Sequence, residues 1–241
     1  MKIIDGTKLA QELEAQLKIK GVVPCLGIIV FKNDRAGQVY TRLKSEAAAR
    51  VGIKVIISHT AGVLAIWNQD PKIHGIMIQR PGYRGEAFEQ YWNQLVAKIA
   101  PHKDVDGLRP DSRFTPATVK AVQMILVQVK AKGETLVVGR GMIGRQLAQR
   151  LAARNISSQD KNLNRVTSQA DILISASGRP GIIKAVKAGA VVIDVGWPKG
   201  DVDLAAVTNK AAWVTPVPGG VGPVTVVCLL ANLLEAVYNR L

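Results

Sequence analysis

Residues 134–144 read Glu-Thr-Leu-Val-Val-Gly-Arg-Gly-Met-Ile-Gly, and this stretch decides the fold. Its first five residues have the composition of a buried strand, and a helical pattern follows to residue 154. Between them, Gly139, Gly141 and Gly144 have the spacing G-x-G-x-x-G. In this context the first glycine makes the turn, the second lets backbone approach a pyrophosphate, and the third lets the helix pack closely on the sheet. The stretch therefore predicts a dinucleotide-binding loop.

Three further residues bear on which dinucleotide would bind. Arg140 lies inside the loop, where it could meet a phosphate or simply be exposed without a ligand. Asp160 lies roughly 20 positions further on, at the spacing of the acidic residue that binds the ribose hydroxyls of NAD. Ser158 lies two residues before it and could hydrogen-bond a 2′-phosphate instead. The spacing leaves NAD and NADP both open.

Strand and helix patterns alternate along the whole chain. We predict strands at 25–31, 53–58, 73–78, 134–138, 171–176, 190–195 and 213–215. We predict helices at 5–20, 38–51, 61–68, 86–100, 115–132, from the glycine loop to 154, and at 226–241. Such alternation indicates an α/β fold with mostly parallel sheets. A change of rhythm places a domain boundary near residues 110–115, and we expect the last helix to return to the first domain.

Composition narrows the class of protein. The 241 residues, 48% of them hydrophobic, suffice for one large or two modest domains. The net charge of +14 is spread over both halves and suits an anionic substrate and cofactor. General electrostatic binding of nucleic acid stays open, although only 5% of residues are aromatic and no RNA-binding motif occurs.

Location and metal content are also constrained. We expect no membrane segment, since no apolar run reaches about 18–20 residues, and no signal-peptide pattern opens the chain. Cys25 and Cys228 lie in apolar patterns, which argues against a disulfide framework. The three histidines show no ligand spacing. We expect a cytoplasmic protein without a metal site.

A second group of candidate residues lies in the first half. Tyr40 and Lys44 are four apart on one helix, so they share a face. Under a ring in a desolvated cleft, a lysine pKa falls toward catalytic use, although such pairs also occur on ordinary helix surfaces. Gln79 ends the third strand, at the sheet edge where α/β proteins bind ligands. Asp104 and Asp106 lie in a glycine turn that lacks the other oxygen ligands of a metal loop.

A rigid turn precedes the final helix. Residues 215–225 read Thr-Pro-Val-Pro-Gly-Gly-Val-Gly-Pro-Val-Thr. A stiff turn that opens a helix offers unpaired N–H groups to a ligand, whereas many such turns are simple connectors.

Together these motifs resemble the bifunctional methylenetetrahydrofolate dehydrogenase/methenyltetrahydrofolate cyclohydrolase family, in a shortened form. The resemblance runs nearly end to end. Its pieces are Tyr40-Thr-Arg-Leu-Lys44, Gly75-Ile-Met-Ile-Gln79-Arg-Pro81, Lys103-Asp-Val-Asp-Gly107, Thr115-Pro116, Asp194-Val-Gly196 and Pro218-Gly-Gly-Val-Gly-Pro-Val-Thr225. It implies an α/β lobe over residues 1–112 with a mostly parallel sheet, completed by a helix at 224–241. A Rossmann-like NAD(P)-binding lobe would cover 113–223.

The resemblance also implies an activity. Such an enzyme oxidises 5,10-methylenetetrahydrofolate to 5,10-methenyltetrahydrofolate with NADP, NAD being the alternative, and hydrolyses the product to 10-formyltetrahydrofolate. It would be an oxidoreductase and hydrolase of one-carbon metabolism and purine biosynthesis. It would be a homodimer with no metal, no nucleic-acid partner and no membrane partner.

Residue roles follow from the same resemblance. Lys44 would activate water or polarise the folate, Tyr40 would stack on the folate and Gln79 would tune Lys44. Asp106 would hold the pterin ring. The implied substrate-binding residues are Tyr40, Gln79, Pro81, Asp106, Pro218, Gly219 and Gly220. The implied cofactor-binding residues are Gly139, Arg140, Gly141, Gly144, Ser158, Trp197, Gly222 and Thr225.

Two alternatives belong to other classes. One is a basic dinucleotide- or RNA-binding protein without turnover, against which the joint presence of Tyr40, Lys44, Gln79 and Asp106 argues. The other is a different small-substrate NAD(P) dehydrogenase on the same scaffold.

Overall fold

The computed structural model describes residues 1–82 and 85–238. The strands are β1 Lys2–Ile3, β2 Cys25–Ile29, β3 Lys54–Ser58, β4 Gly75–Ile78, β5 Thr135–Val138, β6 Arg154–Ile156, β7 Ile172–Ser175, β8 Val191–Asp194 and β9 Trp213–Val214. The helices are α1 Gly6–Glu14, α2 Arg35–Arg50, α3 Leu64–Gln69, α4 Glu86–Ala97, α5 Ala117–Gln128, α6 Met142–Arg150, α7 Leu163–Thr167, α8 Leu204–Val207 and α9 Val221–Tyr238. Short 3-10 turns lie at Ala61–Val63 and Pro101–Lys103.

The chain divides into two compact units. The six-stranded unit contains Met1–Glu12 and Thr118–Thr225, and the three-stranded unit contains Leu13–Ala117 and the chain from Val226 onward. Both contain parallel sheets, so the predicted α/β fold class is confirmed.

The six-stranded sheet has the order β1-β9-β8-β7-β5-β6. Strands β7 and β8 are buried along their whole length, as expected of parallel strands covered on both faces. Val138 of β5 is in register with Ile156 of β6 and with Ser175 of β7. The loops that follow these three strands therefore leave the sheet at the same edge.

The three-stranded sheet has the order β3-β2-β4. All residues of β2 and β4 are buried, and Trp67, Trp92 and Leu95 pack into the same core. The buried Asn232 of α9 donates through Nδ2 to the carbonyl oxygens of Val105, at 2.9 Å, and Thr115, at 3.0 Å. This side chain ties the second half of α9 to the turn that carries Asp106.

The N-terminus differs from the predicted division into 1–112 and 113–223. Strand β1 pairs with β9, with Ile4 N donating to Val214 O at 2.8 Å, so Met1–Glu12 belongs to the six-stranded unit. A two-residue strand has no hydrophobic period to be detected in sequence. At the other boundary, the chain up to Ala117 stays with the three-stranded unit.

Several element boundaries also differ. The helix predicted to reach residue 154 ends at Arg150, and Arg154 begins β6 instead. Ala152, in the left-handed region at φ 48°, reverses the chain between them. Helix α9 begins at Val221, five residues earlier than predicted.

The earlier start of α9 corrects the expectation that no apolar segment is long enough to span a membrane. With 18 residues and a mean hydropathy of 1.7, this helix is long and apolar enough to cross a membrane by composition alone. However, 67% of it is buried inside the protein. Core helices meet the same criterion, so it is weak support for a membrane span.

Candidate active site and cofactor site

The Lys44 amine lies at the centre of a polar cluster in the three-stranded unit. Helix α2 begins at a cap in which Gly37 N donates to Asp34 Oδ1 at 2.9 Å. One turn later the Tyr40 ring lies 4.5 Å, by its centroid, from Lys44 Nζ. Strand β4 supplies Gln79 immediately after its last residue, and Lys44 Nζ donates to Gln79 Oε1 at 2.8 Å. The lysine is only 4% exposed.

Burial sets the protonation of this cluster. It lowers the pKa of Lys44 from 10.5 to about 8, although the Asp106 carboxylate opposes that shift. Burial raises the pKa of Asp106 from 3.8 to about 6, with Lys44 opposing and Asp104 adding to the shift. The Tyr40 hydroxyl has a raised pKa, from burial first and from Asp106 second. The cluster therefore holds an amine and a carboxylate that both titrate within about a unit of pH 7.

The two aspartates of the Lys103-Asp-Val-Asp-Gly107 turn differ in their surroundings. Asp104 is fully buried and accepts hydrogen bonds from Leu108 N at 3.2 Å and Arg109 N at 2.8 Å, so its carboxylate is committed to the turn. Asp106 is half-buried and is electrostatically coupled to Lys44 and Tyr40. Of the two, Asp106 is the one whose charge acts on the pKa values of Lys44 and Tyr40. Pro81, two residues after Gln79, is buried.

The glycine loop of the six-stranded unit has the geometry of a dinucleotide loop. Gly139 has φ 117°, and a Cβ there would lie 2.4 Å from the Ala176 carbonyl oxygen. A Cβ on Gly144 would lie 2.0 Å from the Gly139 carbonyl oxygen. A Cβ on Gly141 would meet nothing within 4 Å, so this residue leaves bare backbone in open space at the start of α6. These residues fit a bound dinucleotide, whose phosphates Gly139, Gly141 and the N-terminus of α6 would hold.

The ribose-recognition candidates lie after β6, at the same sheet edge. Ser158 is half-buried, and its carbonyl oxygen accepts from Arg179 Nη1 at 3.0 Å. Asp160 Oδ1 accepts from Asn162 N at 2.8 Å, so this carboxylate closes a local turn. Arg140, in the glycine loop after β5, is exposed. Arg179 was missed by the sequence reasoning, because its position in space depends on strand order.

The other predicted binding residues lie in the rigid turn and after β8. Within the six-stranded unit, a Cβ on Gly6 of α1 would lie 1.8 Å from Gly220 O, so the turn is packed closely against the start of that helix. Trp197 is 42% exposed, and the Thr225 hydroxyl donates to Val221 O at 3.0 Å within α9. The remaining predicted binding residues of the rigid turn are the exposed Pro218 and the half-buried Gly219 and Gly222.

A buried carboxylate that the sequence reasoning did not single out organises the loop after β7. Asp201 is fully buried, and its Oδ2 accepts from Ser175 Oγ at 2.8 Å and Ser177 N at 2.7 Å. Asp194, at the end of β8, accepts in turn from Asp201 N and Val202 N. Burial raises the pKa of Asp194. The Asp194-Val-Gly196 motif was the only sequence signal of this network.

The family follows from comparison with known proteins. Residues 4–106 match the catalytic domain of tetrahydrofolate dehydrogenase/cyclohydrolase, and residues 116–241 match its NAD(P)-binding domain. The chain belongs to the tetrahydrofolate dehydrogenase/cyclohydrolase family. The family, the enzyme class and the nicotinamide dinucleotide cofactor predicted from the sequence are thereby confirmed.

Individual relatives match over almost their whole length. The bifunctional protein FolD of Wolinella succinogenes is 34% identical, over 100% of this chain and 98% of its own. That alignment runs over 286 positions against the 241 residues here, as expected of a shortened member. A crystal structure of bifunctional FolD from Campylobacter jejuni is 30% identical with a TM-score of 0.87, covering 100% of both chains.

One solved relative carries the cofactor. The Trypanosoma brucei dehydrogenase-cyclohydrolase, complexed with NADP and an inhibitor, is 30% identical with a TM-score of 0.86. It covers 97% of this chain and 96% of its own. These matches support the folate enzyme over the two alternatives of a non-catalytic binding protein and an unrelated dehydrogenase.

Proposed function

We propose that this protein oxidises 5,10-methylenetetrahydrofolate with NADP and hydrolyses the resulting 5,10-methenyl cation to 10-formyltetrahydrofolate. The observation that carries the proposal is the buried Lys44 amine, with Tyr40 at 4.5 Å and Gln79 at 2.8 Å. Family membership supports both activities.

Lys44 serves the hydrolysis through its two protonation states. With a pKa of about 8, about one molecule in ten carries the neutral amine at pH 7. The neutral amine takes a proton from the water that adds to the methenyl carbon. As the bond between the ring nitrogen and that carbon breaks, the resulting ammonium returns a proton to the nitrogen, and the hydroxyl proton of the adduct leaves to solvent as the formyl C=O forms. No net proton is stored on the protein.

Tyr40 and Gln79 position the amine. The ring face of Tyr40 limits where Nζ can lie and favours its cationic form, while the Gln79 oxygen accepts one of its protons. Asp106 is the acceptor for the donor edge of the pterin, and its coupling to Lys44 keeps the two groups oppositely charged near neutral pH. Pro81 would extend this folate-binding surface, and Pro218, Gly219 and Gly220 stay predicted substrate-binding residues.

The oxidation depends on alignment. A bound nicotinamide dinucleotide would supply the acceptor for the hydride that leaves the methylene carbon. Gly139, Gly141 and Gly144 would hold its pyrophosphate, and Arg140 and Ser158 would meet the 2′-phosphate. Trp197, Gly222 and Thr225 would line the rest of the site. No general base is required, because the neighbouring nitrogen lone pair stabilises the cation that remains.

The proposal is tested by assaying both steps in one variant. Lys44→Met should abolish methenyl hydrolysis, followed by the decay of methenyltetrahydrofolate absorbance, and leave the Kd for NADP unchanged. Arg42→Met is the matched control, since it removes one positive charge from an exposed position of the same helix. Hydrolysis at the wild-type rate in the Lys44 variant would overturn the role of the amine.

Two further properties stay predictions. We expect a homodimer and a cytoplasmic location; the two cysteines, both free and buried, suit a reducing compartment. Light scattering coupled to size-exclusion chromatography measures the oligomeric state.

A further inference from the structure

We propose that Arg179 is a specificity-determining residue of the cofactor site and binds the 2′-phosphate of NADP beside Ser158. This rests on the proposed function in taking NADP as the cofactor.

The first step is the position of Arg179 at the sheet edge. Strand β5 lies between β6 and β7, and the glycine loop follows β5. Arg179 lies in the loop after β7, yet its Nη1 donates to Ser158 O in the loop after β6, at 3.0 Å. Since neighbouring strands are about 4.8 Å apart, the side chain bridges the two loops that flank the glycine loop.

The second step is that the base of this side chain is fixed. Arg179 N donates to Ser177 Oγ at 3.2 Å, and Ser177 Oγ donates to Asp201 Oδ2 at 2.9 Å. Gly178 N donates to the same oxygen at 3.2 Å. Because Asp201 is fully buried, the loop that carries Arg179 is anchored to the interior. A pre-positioned guanidinium loses little conformational entropy when it binds an anion.

The third step is the local chemistry. The contact with Ser158 O uses one N–H of a guanidinium that carries five, and Arg179 is exposed. The acid that would bind the ribose hydroxyls of NAD, Asp160, directs an oxygen to Asn162 N. In a dinucleotide site, the loop after the strand that corresponds to β6 contacts the 2′ position of the ribose. A guanidinium there gains a charge-assisted contact from a phosphate but little from a hydroxyl.

The test compares NADP with NAD by isothermal titration calorimetry on the full-length protein. Arg179→Ala should weaken NADP binding by about ten- to thirtyfold and change NAD binding by less than about twofold. Arg154→Ala is the matched control: it removes an exposed arginine at the opposite end of β6 and should change neither affinity. Arg179→Gln removes the charge but keeps an N–H donor and should behave like Arg179→Ala.

The outcomes separate this inference from the proposed function. Equal losses for NADP and NAD in Arg179→Ala would show that the side chain only tethers the loops, and would overturn the inference. The same holds if Arg179→Gln binds NADP like the wild type, or if Arg154→Ala loses as much as Arg179→Ala. A wild-type protein that binds neither dinucleotide would instead overturn the proposed function.

Discussion

Replacing Lys44 with methionine should stabilise the protein at neutral pH while removing the hydrolysis. Burial lowers the pKa of this lysine from 10.5 to about 8. At pH 7 the folded protein must therefore hold a charge that the unfolded chain carries more easily, at a cost of about 3 kcal/mol. Methionine has a similar length and no charge. The substitution also removes the hydrogen bond from Lys44 to Gln79 Oε1, which costs about 1 kcal/mol of stability. The free energy of unfolding should therefore rise by about 2 kcal/mol.

The pH dependence gives this prediction its sign. A group whose folded pKa is lowered stabilises the fold fully above its unfolded pKa of 10.5, and that contribution is lost as pH falls through about 8. The advantage of the methionine variant should thus be complete below pH 8 and vanish between pH 8 and 10.5. Urea unfolding followed by circular dichroism at pH 7 and at pH 10 measures it.

A second buried lysine provides the matched control. Lys103 is 2% exposed, but its Nζ donates to the carbonyl oxygens of Trp67, at 2.7 Å, and Asp70, at 2.8 Å. Lys103→Met leaves those carbonyls with one partner fewer and should lower the free energy of unfolding by about 2 kcal/mol or more. A Lys44 variant that is destabilised at pH 7 like the Lys103 variant, or whose gain persists at pH 10, would refute the reasoning.

Three other changes test the fold and the sites. Asn232→Ala should lower the free energy of unfolding by about 2–3 kcal/mol, measured by urea unfolding, because its amide bonds two carbonyls from a fully buried position; a change within error would show that those carbonyls find other partners. Gly144→Ala should lower the melting temperature, since its Cβ would lie 2.0 Å from Gly139 O. Gly141→Ala should leave the melting temperature unchanged and weaken the binding of the dinucleotide, because its Cβ would meet nothing within 4 Å. Equal melting temperatures for the two variants would contradict the loop geometry. Asp106→Asn removes the charge that raises the Lys44 pKa, so the midpoint of the pH profile for methenyl hydrolysis should move to lower pH, and an unmoved midpoint would show that the two groups are not coupled.

The sequence was most informative where a local pattern decides the structure. The apolar runs around Leu26 and Ile76 became fully buried parallel strands, because a strand covered on both faces requires continuous apolar side chains. The glycines at 139 and 144 were identified from spacing alone. Gly144 is forced by a contact within its own strand–loop–helix unit, whereas the contact that forces Gly139 is with the Ala176 carbonyl oxygen after β7. Tyr40 and Lys44 were placed on one face by helical periodicity.

Features without a local signal escaped prediction. The pairing of β1 with β9 joins residues more than two hundred positions apart through two-residue strands, too short for any period to register. Helix α6 was predicted four residues too long, because Ala152 adopts a left-handed conformation that is uncommon for alanine and cannot be predicted from its side chain.

The sequence by itself determined the α/β class, because periodicity carries that information, and the resemblance of its motifs to a known family supplied the family and the predicted site residues. Only the tertiary structure decided that Lys44 is buried against Gln79, that Asp106 rather than Asp104 acts on its pKa, and that Arg179 reaches Ser158. The protonation of an amine and the partner of a guanidinium depend on which side chains strand order and burial bring together, and no local pattern records those distances.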